Sequence, residues 1–228
     1  MTTAEPLSDA KIVESWHINA LPWATAIREG QIESRKQITN QAIIDAVISR
    51  QPRTVLDLGC GEGWLARELA ARNMQVVGTD VIPQLIEEAQ RAGGGDFLTL
   101  SYEEIAAGKL KKTFDVVACN FALLGSESVE SVFQSVPSLL NSRGAFIVQT
   151  LHPVVACGEM AYQDGWREGS WAGFSSNFSN PAPWYFRTLE SWIKLFVNNG
   201  FRLGEIREPL NLKTQKPASV IFIGELVG

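Results

Sequence analysis

Basic side chains, cysteine and histidine are all scarce in this chain. Among 228 residues, 20 Lys and Arg face 25 Asp and Glu, a net charge of −5. That balance argues against a partner held through its phosphate backbone, so no nucleic acid is expected. There are 3 cysteines, Cys60, Cys119 and Cys157, without a Cys-x-x-Cys pair, and 2 histidines, His17 and His152. A structural zinc site does not fit that inventory, and no metal is expected. A chain of this length buries roughly 70% of its unfolded surface and needs neither metal nor disulfide to hold together. Long apolar runs are missing too: none reaches the ~20 residues of a membrane helix, so no membrane partner is expected. The start, MTTAEPLSDAKIVESW, has no basic opening and no apolar core, which predicts no secretory leader and a cytoplasmic location. With 45% hydrophobic and 20% charged residues, the composition is that of a globular protein.

What the chain does have is alternation. Residues 1–52 read as an N-terminal helical cap. Ser34-Arg35-Lys36-Gln37 fits a capping box with Ser34 as N-cap. Ile38, Ala42, Ile43, Ile44, Val47 and Ile48 then mark one helical face, and Pro52 ends it. Short apolar strands are predicted at 54–58, 75–79, 97–100, 114–119 and 145–151, with helices at 63–72, 83–91, 129–140 and 188–198. Asn73 suits a C-cap, and Pro137 kinks or restarts its helix. Two final strands, 201–207 and 219–226, have no helix between them and predict a hairpin. Apolar strands joined by helices imply a mostly parallel α/β sheet with helices on both faces, its last strand antiparallel. The core then comprises 53–151 and 187–228, and 152–186 is an insertion.

The first strand runs into Asp57-Leu58-Gly59-Cys60-Gly61-Glu62-Gly63, and a helix follows. Glycines here permit positive φ and close approach to the backbone. A tight turn needing only small residues is one reading; a ligand cradle at the carboxyl end of a sheet strand is the other. The acid ending the second strand, Asp80, favours the ligand, because a carboxylate there can take both hydroxyls of a ribose. A dinucleotide turn would read GxGxxG; here it is GxGxG with Asp57 and Glu62 beside it. Those carboxylates would repel a pyrophosphate and attract a ligand carrying an ammonium and a sulfonium.

VLDLGCGEGWLARELA, VVGTDVIPQLIEEAQ, FDVVACNFALL and LLNSRGAFIVQT, taken in order over residues 53–151, resemble the successive signatures of class I S-adenosylmethionine-dependent methyltransferases, and most of all the small-molecule, ubiquinone-biosynthesis type. The resemblance implies a Rossmann-like seven-stranded sheet of order 3-2-1-4-5-7-6. The implied cofactor is S-adenosylmethionine, leaving as S-adenosylhomocysteine, and the implied partner is a small-molecule methyl acceptor. It further implies that Asp57, Gly59, Cys60, Gly61 and Gly63 wall the methionine part, that Asp80 binds the ribose with Val81 beside the adenine, and that Asn120 and Phe121 lie near the sulfonium. Many relatives have an aspartate after the third strand for the adenine amine; here the sequence reads Ser101-Tyr102-Glu103. Ser101 is left to accept that hydrogen bond and Tyr102 to stack.

His152 follows the fifth strand in Thr150-Leu151-His152-Pro153. It reads as a catalytic base or substrate contact, or as a histidine satisfied by strand-end backbone. The stretch YQDGWREGSWAGFSSNFSNPAPWY is too irregular for a core helix and too aromatic for a solvated loop. It reads as a lid bringing Trp166 and Trp184 to the acceptor with Arg187, or as an oligomer interface or satellite core. Trp16 and Trp23 invite the same substrate role, with core packing as the alternative. Arg35 stands in the first turn of its helix, where the dipole disfavours a cation, and so points at an anion such as the cofactor carboxylate. The expected assembly is a monomer or homodimer. A cofactor-binding regulator without turnover, and a nucleotide-dependent oxidoreductase, are the competing readings.

Overall fold

The computed structural model describes residues 6–227; residues 1–5 of the expected cap, and Gly228 of the expected core, lie outside them. The chain opens with helix α1 (Asp9–Arg28). A π-helical turn, Arg35–Thr39, leads directly into α2 (Asn40–Ile48), with the Asn40 N–H reaching the Arg35 carbonyl five residues back. Then follow β1 (Thr54–Leu58), α3 (Trp64–Ala70), β2 (Gln75–Asp80), α4 (Pro83–Ala92), β3 (Asp96–Thr99) and α5 (Tyr102–Ala106). β4 (Phe114–Asn120), α6 (Glu127–Ser135) and β5 (Leu140–Thr150) complete the parallel part. A single turn, α7 (Pro153–Ala156), and a small hairpin, β6 (Gly165–Arg167) with β7 (Trp184–Phe186), precede α8 (Leu189–Asn198). The chain closes with β8 (Phe201–Arg207), the two-residue ladder β9 (Leu210–Asn211) and β10 (Lys216–Pro217), and β11 (Val220–Leu226).

The main sheet has the order β3-β2-β1-β4-β5-β11-β8. Its seven strands in chain order therefore run 3-2-1-4-5-7-6, as the resemblance implied. β11 is antiparallel to both neighbours and lies second from the edge. Alternate residues of each strand feed opposite faces. Leu56, Val117, Phe146 and Phe222 join Phe133, Trp192 and Phe196 on one side; Val55, Val116, Ile147 and Ile221 join Ile43, Leu65, Leu69 and Ile86 on the other. Each fully buried ring or branched chain contributes about 1.5–3 kcal/mol, so the two layers fix the strand ends to which the site is attached.

One local signal was overridden and two held. Ser34 is no N-cap: it has helical dihedrals (φ −62°, ψ −35°) and its side chain caps nothing. The helix already includes it: it starts at Glu33, and the Arg35 and Lys36 N–H groups donate back to the Ile32 carbonyl. Pro137 does restart its helix, as a 3-10 turn at Val136–Leu139. Asn73, at φ +65°, closes α3 as expected.

Candidate active site

The strand β1 delivers its polypeptide into a turn in which Gly59, Gly61 and Gly63 all have positive φ, +75°, +58° and +81°. At Gly59 the need is double: a Cβ there would lie 2.4 Å from Ala122 Cβ and 2.8 Å from the Tyr102 hydroxyl. Gly63 caps α3 and faces Phe97 and Ala89, where a Cβ would sit 2.9 Å from the ring. It serves packing beneath the turn and does not line the cavity, contrary to the expectation of a cofactor wall.

That cavity, 310 Å³, opens at the carboxyl ends of β1, β2 and β4. It brings together Gly59, Cys60, Gly61, Asp80, Val81, Ser101, Tyr102, Asn120 and Phe121, with Arg35, Trp16 and Trp23 from the N-terminal segment. Asp80 is held from behind: the Gly61 N–H donates to one oxygen and the Ile82 N–H to the other, both at 2.9 Å. Each oxygen keeps a lone pair for the cavity. Burial pushes the Asp80 carboxyl up, and those backbone donors hold it down. Phe121 sits at φ +55°, a strained backbone for a bulky residue. Its N–H donates to the Gln149 carbonyl at 2.8 Å, which fixes the sharp exit from β4.

Three buried polar atoms at the methionine end of the expected cradle have no partner: one terminal nitrogen of Arg35, one oxygen of Asp57 and one oxygen of Glu62. The Arg35 guanidinium lies over the rings of Trp23 and Trp64, at 5.5 and 5.0 Å from their centroids. Burial lowers its pKa to about 10, against the pull of Glu62 and Asp57. Asp57 stands behind the turn, outside the cavity lining; burial first, then Asp80, raises its carboxyl to about 7. Glu62 is buried, lines the cavity and pairs with Arg67. Burial, with Asp57 and Asp80 close by, pushes the Cys60 thiol well up, which leaves it a small packing group.

Ser101 is explained by its neighbour two residues beyond Tyr102. It caps α5, accepting from Glu104 N–H while Glu104 accepts from the Ser101 N–H. The Tyr102 hydroxyl donates to the Ala122 carbonyl at 3.3 Å, tucked under Gly59.

The roof is α1. Ala20 and Ala24 pack on Ile82 and Leu85 of the β2–α4 connection. Asp9 accepts from the N–H groups of Ser126 and Ser128, at 2.7 and 2.9 Å, and so caps α6 from 117 residues away. Asn19, fully buried, exchanges a pair of hydrogen bonds with the Ser179 backbone, at 2.7 and 3.0 Å. Trp16 packs edge-on against Trp23 and Trp171, and Trp171 in turn against Phe174 and Phe178. Cap and insertion thus share one aromatic cluster.

Four acceptor-side expectations fall elsewhere. Trp166 and Trp184 belong to the β6–β7 hairpin, paired with Tyr185 and Phe186, and neither lines the cavity. Arg187 is buried and donates to the Gly125 and Ser126 carbonyls at 2.7 and 2.9 Å, so it holds the loop after β4 and does not face a ligand. His152 is also outside the lining; its Nε2 sits 2.6 Å from Glu208 and its Nδ1 is buried without a partner. Sequence reasoning missed Trp64, Asp9 and Gln149; only Trp64, adjacent to the glycine turn, carried a local hint.

Residues 55–144 match the methyltransferase-domain family. Over these residues the chain carries a methyltransferase domain of the class I S-adenosylmethionine-dependent type. It is similar to malonyl-[acyl-carrier protein] O-methyltransferase of Legionella pneumophila, 31% identical over 45% of this chain and 37% of the relative. It is likewise 32% identical to the ubiquinone biosynthesis O-methyltransferase of Paraburkholderia xenovorans, over 48% of this chain and 49% of that protein. The chain thus spans less than half the length of these curated relatives. The fold is shared with magnesium protoporphyrin IX methyltransferase of Synechocystis PCC 6803, at TM-score 0.65 and 18% identity, covering 96% of this chain and all of that one. An S-adenosylmethionine-dependent methyltransferase from Clostridium acetobutylicum gives TM-score 0.66 at 14% identity, over 90% of this chain. Among the described residues no helix is long and apolar enough to cross a membrane.

Proposed function

We propose that this methyltransferase transfers a methyl group from S-adenosylmethionine to an oxygen or nitrogen of a small molecule. The observation that carries the reading is the pairing, around one cavity, of a backbone-held Asp80 with an orphaned Arg35 nitrogen on the far side of the glycine turn. Asp80 would accept both ribose hydroxyls. Arg35 would take the α-carboxylate of the methionine tail, and the negative environment of Asp57 and Glu62 would favour its ammonium. Val81, Ile82 and Leu85 would flank the adenine. The bound cofactor supplies an electrophilic methyl group. The protein's part is to hold the acceptor in line and to exclude water, and the α1 roof with Trp16 and Trp23 serves the second need. Two relatives are named as O-methyltransferases, which supports a methyl acceptor of low molecular weight or a small group on a carrier.

Calorimetry with S-adenosylmethionine, S-adenosylhomocysteine and NAD tests this. The first two should bind, and Asp80→Ala should weaken both by at least 100-fold, since two charge-assisted hydrogen bonds are worth about 1.5–3 kcal/mol each. Tight NAD binding without either sulfur compound would overturn the reading in favour of an oxidoreductase.

A further inference from the structure

The direction of one buried amide network selects the acceptor atom. Gln149, fully buried on β5, has its Nε2 at 3.0 Å from the Thr39 carbonyl and 2.6 Å from Asn120 Oδ1. A carbonyl can only accept, so the Gln149 group facing Thr39 must be the NH₂. The same nitrogen then donates to Asn120, which must offer its oxygen. On the other side, the Ser219 hydroxyl, also fully buried, donates to Gln149 Oε1 at 3.1 Å. The chain of forced choices ends at Asn120, which lines the cavity. Its Oδ1 already accepts from Gln149 and keeps one lone pair, whereas its Nδ2 has no acceptor among the described residues. The group of Asn120 left wholly unpaired is therefore its donor.

We propose that this donor makes the enzyme an oxygen methyltransferase whose acceptor is ionised, a carboxylate or an acidic phenolate. The inference rests on the methyltransferase reading above and narrows it. A neutral amine has one lone pair, which must point at the methyl carbon; its N–H bonds then face the wall, where Asn120 offers a further N–H. An oxyanion has three lone pairs: one attacks and another accepts from Asn120. The oxygen lone pair forms the O–C bond while the C–S bond breaks and its electron pair stays on sulfur. An anion and a sulfonium become two neutral groups, with no proton to remove. This chemistry also suits a cavity wall from which His152 is absent, tied instead to Glu208. Gln149 is the positioning residue: it orients Asn120 and ties the Arg35–Thr39 turn to the sheet by the same nitrogen.

Titration of S-adenosylhomocysteine-loaded protein with benzoate, 4-nitrophenolate and aniline, by calorimetry, tests the proposal. The two anions should bind and aniline should bind at least 10-fold more weakly. Asn120→Asp, which keeps the bond to Gln149 and replaces the donor by an acceptor, should lose anion binding at least 10-fold when the variant is saturated with S-adenosylhomocysteine. Gln149→Glu should shrink the anion-to-aniline ratio, because Asn120 is then free to turn over; a merely structural Gln149 would leave that ratio alone. Preferential aniline binding, no anion binding, or equal anion binding by Asn120→Asp would overturn the proposal. Failure of S-adenosylhomocysteine itself to bind would instead refute the cofactor reading, and this inference with it.

Discussion

Arg35→Met should separate function from stability. The side chain is 8% exposed, with one terminal nitrogen unpartnered. Burial lowers its pKa to about 10, and that fall from the ordinary arginine value corresponds to roughly 3 kcal/mol against the buried cation. The stacked rings of Trp23 and Trp64 return ~0.5–2 kcal/mol each, and the hydrogen bond to Asn40 is long, at 3.3 Å. Methionine fills a similar volume without the desolvation cost. The unliganded variant should therefore be as stable as the parent or up to about 2 kcal/mol more stable, a Tm gain of up to roughly 8 °C at this chain length. Asp57 softens the loss of its neighbour by taking up a proton, its pKa being already near 7. Cofactor binding should move the opposite way. Losing a charge-assisted bond to the α-carboxylate costs about 2–3 kcal/mol, or ~30–150-fold in Kd. Scanning calorimetry of the free protein and titration with S-adenosylhomocysteine read the two effects. A Tm drop above about 4 °C with Kd within threefold would make Arg35 a structural residue and refute the assignment.

Three further outcomes are expected. Asp57 titrates at about 7 when folded, against 3.8 unfolded, so its contribution to stability is fully present below about pH 4 and is lost as pH rises through 7; Asp57→Asn should lessen the fall in Tm between pH 5 and 7.5, and an identical fall in parent and variant would count against the raised value. Gly59→Ala, which drives a Cβ to 2.4 Å from Ala122 at φ +75°, should lower Tm and abolish cofactor binding; a variant with parental Tm and Kd would show the turn to be slack. His152→Ala should lower Tm, by loss of a buried ring and its Glu208 contact, with cofactor Kd unchanged and turnover within about fivefold; a far larger loss of turnover at unchanged Tm would restore it as the base.

The parts of this molecule written in short-range pattern were legible. Strand alternation, the glycine turn and Asp80 each report on themselves, because an apolar strand, a positive φ and a strand-end acid need no distant partner to be recognised. Arg35 was singled out by a local cost, its unfavourable place in a first turn, and it does line the cavity. The misreadings came where the partner lies far along the chain. Arg187 looks like any surface arginine until the loop carbonyls of Gly125 and Ser126 are placed beside it. Trp166 and Trp171 are equivalent in sequence, and only the fold sends Trp171 to Trp16 and pairs Trp166 with Tyr185. Asp9 reads as a first-turn acid of its own helix, whereas it caps another one. Ser34 shows the converse, a satisfactory local motif that the chain does not use because the preceding turn already begins the helix.

The π-helical turn at Arg35–Thr39 carries one extra residue relative to an ordinary helix. That insertion lets the guanidinium reach the cradle while the Thr39 carbonyl meets Gln149. Each helical residue advances the azimuth by about 100°. Shortening this stretch by a single codon would restore regular winding and leave the hydrophobic stripe of α2 seated. It would also swing the cation out of register with the glycines. Two homologous genes differing by that one triplet would encode the same scaffold with and without a guanidinium in the cavity wall.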